Sequence, residues 1–201
     1  MIRVLIAEDQ AMVREALAAL LELEPDIEVV AQVGRGDEVL AAAREAQPDV
    51  ALLDIEMPGS SGLEATERLR ADLPKIRVLI LTTFGRPGYL RRAFDAGASG
   101  FLLKDAPAAQ LASAVRRAVT GERVVDPDLA VAALGAGDNP LTAREREVLD
   151  RARDGGTIAE IAGDLHLSPG TTRNHLSSVM HKLGAASRLD AIRAAEDKGW
   201  L

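Results

Sequence analysis

Two rhythms of hydrophobic and polar residues alternate through the first 121 positions. Short, nearly continuous apolar runs at 3–7, 27–33, 50–54, 77–82 and 100–103 read as strands buried on both faces. Between them, at 11–23, 37–46, 62–73, 88–96 and 108–120, apolar residues return every three to four positions, the period of a helix with one buried face. This alternation predicts an α/β fold, a flavodoxin-like, doubly wound parallel (βα)5 sheet, because right-handed crossovers lay helices on both faces. In the strand order 2-1-3-4-5, strands one and three are neighbours at the switch point, where open sheets of this kind bind ligands.

Beyond residue 121 the pattern changes. Residues 122–138 read as a linker in which Asp126-Pro127 opens a short helix and Gly135-Ala136-Gly137 forms a hinge. From 139 to 201 the period is helical throughout. Thr142 with Glu145 and Thr157 with Glu160 form capping boxes, Ser168-Pro169 is an N-cap followed by Pro, and Ser187 opens the last helix. Gly155, Gly184 and Gly199 supply stops. The chain therefore divides into an α/β domain at 1–121, a linker at 122–138 and an all-α, four-helix domain at 139–201.

Composition narrows the function. With 47% hydrophobic residues among 201, both domains can bury a core. No stretch reaches the ~18 uninterrupted apolar residues of a membrane span, and the first strand starts at once without a signal peptide, so a cytoplasmic protein with no membrane insertion is expected. Absence of Cys excludes disulfides, thiol catalysis and zinc fingers, and three scattered His residues make a poor transition-metal site. Residues 139–201 carry 9 basic and 9 acidic side chains, so the formal charge of -7 lies wholly upstream of them. Within 168–188, Arg173, Lys182, Arg188, His175 and His181 occur with no acidic residue, a segment suited to lie against phosphates.

The chemistry gathers at strand ends. Glu8-Asp9 closes the first run and Asp54 the third, so three carboxylates meet in one crevice if those strands are neighbours. Crowded anions persist mainly by holding a cation, and hard oxygens with room for water and phosphate suit Mg²⁺. Thr82 ends the fourth strand and Lys104 follows the fifth, offering a hydroxyl and a cation to the oxygens of a phosphoryl group transferred to a carboxylate. Any one of these residues has a bland explanation as a cap or a solvated side chain. The ordered set is hard to obtain by coincidence. A phosphatase of the haloacid-dehalogenase type also uses an Asp nucleophile, but places it after the first core strand with a second Asp two residues later, whereas position 56 here is Glu. A flavin carrier would need a phosphate-binding loop after strand one, and that loop is acidic.

On Ala7-Glu8-Asp9, Asp54-Ile55-Glu56-Met57-Pro58-Gly59, Leu81-Thr82-Thr83 and Gly100-Phe101-Leu102-Leu103-Lys104, residues 1–121 resemble the receiver domains of two-component response regulators. The resemblance implies that Asp54 accepts a phosphoryl group from a sensor histidine kinase. It also implies that Glu8, Asp9, Asp54 and the main-chain carbonyl of Glu56 surround Mg²⁺, that Thr82 and Lys104 read the phosphoryl group, and that Phe101 is the aromatic switch residue.

In the helix expected from Pro169 to Leu183, Thr172, Leu176, Val179 and Leu183 form the buried stripe. The opposite side presents Thr171, Arg173, Asn174, Ser177, Ser178, His181 and Lys182, short-chained and free of carboxylates, with Arg188 beyond; such a face can enter a major groove. A plain bundle with a solvated face is the competing account. The motifs Leu141-Thr142-Ala143-Arg144-Glu145-Arg146-Glu147, Glu160-Ile161-Ala162, Leu167-Ser168-Pro169-Gly170-Thr171 and His181-Lys182-Leu183-Gly184 resemble the LuxR-type helix-turn-helix. The two halves together resemble the NarL/FixJ class of transcription factors, and Leu81 to Tyr89 resembles DesR-like regulators of membrane-lipid desaturation. This implies a phosphorylation-controlled regulator of double-stranded promoter DNA rather than a metabolic enzyme. Homodimerisation on phosphorylation is expected through the first and fifth helices. In the first, Val13, Leu17 and Leu20 are expected on the sheet, with Met12, Ala16, Ala19 and Leu23 as a second row; in the fifth, Leu111 and Val115 face the core while Ala108, Ala112 and Val119 stay open.

Overall fold

Leu52 and Leu53 have no exposed surface, as expected for a strand with helices on both sides. The computed structural model describes residues 1–83, 87–126, 129–131 and 139–201. Its strands are β1 (Ile2–Ala7), β2 (Ile27–Val33), β3 (Val50–Asp54), β4 (Arg77–Thr82), β5 (Gly100–Leu103) and β6 (Val124–Val125). Between the first five lie α1 (Ala11–Glu22), α2 (Val39–Ala46), α3 (Gly62–Asp72) and α4 (Pro87–Asp95), and α5 (Ala108–Val119) follows β5. All pairings are parallel, in the order β2-β1-β3-β4-β5-β6. The flavodoxin-like order 2-1-3-4-5 is thus present, extended by one strand.

Val4, Ile6, Leu52, Leu79 and Leu81 pack with Leu17 and Leu21 of α1 and with Leu111, Val115 and Ala118 of α5. Each such side chain taken fully from water contributes roughly 1.5–3 kcal/mol before chain entropy is counted. Four details differ from the sequence pattern. Residues 36–38 form a 3-10 turn before α2 rather than its first α-turn. Leu20 is 40% exposed, whereas Ala18 and Leu21 take the inward positions, because the helix is rotated toward its Leu17–Leu21 ridge. Ala112 is buried, since it lies on the same face as Leu111 and Val115. Finally, Val124 and Val125, within the expected linker, pair with Gly100 and Phe101, and Val124 joins the core. The expected short helix and hinge fall largely outside the described residues; Asp126 Oδ1 accepts from the Leu129 N–H at 3.4 Å, in keeping with the expected cap.

The chain separates into two compact units, the second built on residues 139–201. There α6 (Ala143–Ala152), α7 (Ile158–Asp164), α8 (Pro169–Leu183) and α9 (Arg188–Asp197) enclose Val148, Leu149, Ile161, Leu176, Val179, Ala191, Ile192 and Trp200. Both anticipated capping boxes form, at Thr142/Glu145 and Thr157/Glu160. Among the described residues, no helix is long and apolar enough to cross a membrane.

Candidate functional site

Parallel register brings the strand-end residues level. Ala7 pairs with Leu53 and Asp54 with Leu81, so Glu8, Asp9 and Asp54 emerge together at the carboxyl edge, at the β1/β3 switch point. Thr82 pairs with Leu103, and the Lys104 N–H donates to the Thr82 carbonyl at 2.9 Å, which places both beside Asp54. One carboxylate oxygen from each of Glu8, Asp9 and Asp54 lies within 4.8 Å of the others. Glu8 and Asp54 are buried and Asp9 is exposed.

Lys104 ties the cluster together. Its ammonium lies 2.6 Å from Glu8 Oε2 and 3.1 Å from Asp54 Oδ1, with its side chain 11% exposed. Asp54 Oδ1 also accepts the Ile55 N–H at 2.8 Å, and Glu8 Oε1 accepts the Gln10 N–H at 3.3 Å. Burial pushes the Asp54 and Glu8 carboxyls above their ordinary values, and Lys104 only partly offsets this. Burial opposes the charge on Lys104 as well, yet hydrogen bonds to Glu8 and Asp54 hold its ammonium above the usual lysine value. Two compressed anions against one cation leave an excess of negative charge, which a divalent ion would neutralise.

The cluster opens into a cleft of about 100 Å³ lined by Asp9, Gln10, Asp54, Glu56, Thr82, Thr83 and Lys104. Thr82 is 5% exposed and Phe101 is wholly buried on β5. Sequence reasoning did not single out Gln10 and Thr83, whose only signal is adjacency to Asp9 and Thr82. Larger surface hollows lie away from this chemistry.

In the second unit, α7 and α8 are joined by a tight turn. The His166 N–H donates to the Gly163 carbonyl at 3.2 Å and the Leu167 N–H to that of Ala162 at 2.8 Å. Ser168 caps α8 through the Thr171 N–H at 3.1 Å, and Thr172, Leu176 and Val179 are buried as expected. Arg173, Asn174, Ser177 and His181 are exposed. Thr171 is exposed too, with its hydroxyl 2.9 Å from that of Ser168. Three other expected contact residues are engaged inside the domain. Ser178 Oγ and Lys182 Nζ donate to Glu145 Oε1 and Oε2, each at 2.7 Å, and Arg188 Nη1 donates to the Gly156 carbonyl at 2.7 Å. Glu145 was legible only as a capping residue; its second role depends on α6 packing against α8.

Residues 4–116 match the family model described as the response regulator receiver domain, and residues 139–195 match that of the bacterial regulatory proteins of the luxR family. The transcriptional regulatory protein DesR of Bacillus subtilis is 46% identical over 200 residues, covering 100% of this chain and 99% of that protein. The uncharacterized transcriptional regulatory protein YvfU of the same organism is 47% identical over 201 residues, covering 100% of both. The crystal structure of ChrA, a response regulator in a heme-sensing two-component system, aligns with a TM-score of 0.60 and 35% identity, over 100% of this chain and 98% of that one.

Proposed function

Because the chain belongs to the two-component response regulators that join a receiver to a LuxR-type DNA-binding domain, we propose that Asp54 is its phosphoacceptor and α8 its recognition helix. The observation carrying the first half is the bridge from Lys104 to both Glu8 and Asp54 at the mouth of a cleft that also holds Asp9 and Thr82. Asp54 Oδ1 is held by Ile55 and Lys104, which leaves Oδ2 to attack the phosphorus of a kinase phosphohistidine. The new P–O bond forms as the P–N bond breaks, and the imidazole leaves. Lys104 and Thr82 then hold the transferred oxygens. Glu8, Asp9, Asp54 and the Glu56 carbonyl are the oxygens that would hold Mg²⁺, which supplies charge neutralisation for the incoming anion. Phe101 lies on the strand leading to Lys104 and serves as the relay to the outer face.

Thr171, Arg173, Asn174, Ser177 and His181 form the DNA-facing surface, with Arg173 and Asn174 suited to base edges and the hydroxyls to phosphates. Ser178, Lys182 and Arg188, part of the contact set expected from the sequence, instead brace the domain internally. The protein works in the cytoplasm with a sensor histidine kinase, promoter DNA and a second copy of itself. The test is phosphorylation by acetyl phosphate with and without EDTA, repeated on Asp54→Asn. Labelling that needs the divalent ion and vanishes in the variant is expected; undiminished labelling of Asp54→Asn removes the site.

A further inference from the structure

The buried carboxylate of Glu145 lies between the first helix of the second unit and its recognition helix. Glu145 is 4% exposed, yet every direction around it is filled by a donor. Oε2 accepts from the Thr142 N–H at 2.7 Å and from Lys182 Nζ at 2.7 Å, while Oε1 accepts from Ser178 Oγ at 2.7 Å. The capping-box half of this arrangement is local to α6. The other half crosses to α8, where Ser178 and Lys182 stand four residues apart on one face and grip the same carboxylate. A buried anion with three donors tolerates little displacement, since losing one leaves charge uncompensated in a poorly solvated place. Burial alone would raise this carboxyl, but Lys182, Ser178 and Thr142 outweigh it and hold it at about 2, so the anion persists across the physiological range.

This arrangement has an electrostatic consequence for DNA binding. The segment 168–188 contains no acid of its own, so its positive charge appears uncompensated along the chain. The fold brings Glu145 to Lys182 and cancels that lysine locally.

Resting on the DNA-binding reading above, we propose that Glu145 is a positioning residue for DNA recognition: it fixes the rotation of α8 through Ser178 and Lys182, and it withholds the Lys182 charge from the phosphate backbone. Sequence reading alone makes Lys182 a phosphate contact; the geometry makes it the strut that sets which side chains of α8 face outward. Arg173, Asn174 and Ser177 then present to the groove, and discrimination between sequences depends on a carboxylate that touches no base.

The salt dependence of DNA binding separates these roles, because each phosphate neutralised adds about 0.9 to the slope of log K against log salt. The full-length protein is titrated with a mixed-sequence duplex and with duplexes recovered by random-site selection, over a salt series, as wild type, Lys182→Gln, Glu145→Gln and the double variant. Lys182→Gln keeps a hydrogen-bond donor toward Glu145 and should leave the slope unchanged. Glu145→Gln frees the ammonium, so its slope should steepen by about one unit, with mixed-sequence affinity rising and preference for selected sites falling. The double variant should return the slope to the wild-type value. A slope flattened by about one unit in Lys182→Gln overturns the proposal, as does an unchanged slope and preference in Glu145→Gln. Trp200 fluorescence confirms that each variant is folded, and Ser178→Ala, which keeps both charges, supplies a second probe of rotation: it should lower preference without altering the slope. If the wild type itself shows no salt-sensitive affinity for either duplex, the DNA-binding reading fails rather than this one.

Discussion

At the scale of single residues, the two units use buried carboxylates in opposite ways. Glu145 is held at about 2, below its ordinary 4.5, so its charge contributes stability that is complete above that ordinary value and disappears as pH falls toward 2. The linked free energy is on the order of 3 kcal/mol. Acid titration followed by the fluorescence of Trp200, the single tryptophan, should show the second unit losing stability between about pH 5 and 2, with much of that loss absent in Glu145→Gln. Asp54 and Glu8 are displaced upward, which reverses the sign: their charged forms are disfavoured at neutral pH and protonation relieves them. Asp54→Asn should therefore melt at a higher temperature than wild type in EDTA, and a lower melting temperature would contradict the assignment of strain to this cluster. His166 occupies the left-handed region at φ 52 in the turn between α7 and α8. His166→Gly removes the Cβ contact and should stabilise the unit by about 0.5–1 kcal/mol in a denaturant titration, despite the added freedom of the unfolded chain.

At the scale of elements, α1 leaves a row of apolar side chains uncovered. Met12 is 83% exposed, Leu23 78% and Leu20 40%, and Val119 on the neighbouring α5 is 39% exposed. Arg116 spans this region, pairing with Glu24 and Asp26 through Nη2 and Nε, which docks α5 onto the loop after α1. Leu23→Arg should change the stability of the monomer by no more than about 0.5 kcal/mol, because the side chain is already in water. The edge strand β6 carries the opposite expectation. Val124 is 4% exposed and belongs to the core, so a receiver ending at Gly121 should be less stable than one ending at Ala130 by roughly 1.5–3 kcal/mol, measured by urea denaturation. Equal stabilities would show that the two-residue strand adds nothing.

At the scale of the whole molecule, phosphorylation is proposed to pair two receivers through α1 and α5 and so to raise the affinity of two small DNA-binding units for adjacent half-sites. A ligand shifts such an equilibrium only by its differential affinity for the two states, so the phosphoryl mimic must bind the dimer-competent form more tightly. Sedimentation of the full-length chain with Mg²⁺ and beryllofluoride should show a dimer that is absent without them and lost in Leu23→Arg. A monomer under both conditions would rule out dimerisation driven by the phosphoryl group, and a dimer indifferent to Leu23→Arg would place the interface elsewhere.

What the amino-acid order determined by itself was everything with a short repeat distance. The periods of 2 and 3.6, the caps at Thr142, Thr157 and Ser168, and the carboxylates, hydroxyl and lysine at strand ends can be read from a few neighbouring residues, because backbone geometry imposes those spacings locally. Strand order followed from the same pattern, since a parallel sheet with right-handed crossovers admits few arrangements. What only the tertiary structure decided concerns partners distant along the chain. Val124 became a strand because an edge of β5 was open beside it, Leu20 turned outward because the ridge of Leu17 and Leu21 fitted the sheet, and Lys182 met Glu145 thirty-seven positions away. Local periodicity carries no record of such meetings, because packing between elements sets them, and one meeting turned an expected phosphate contact into an internal strut.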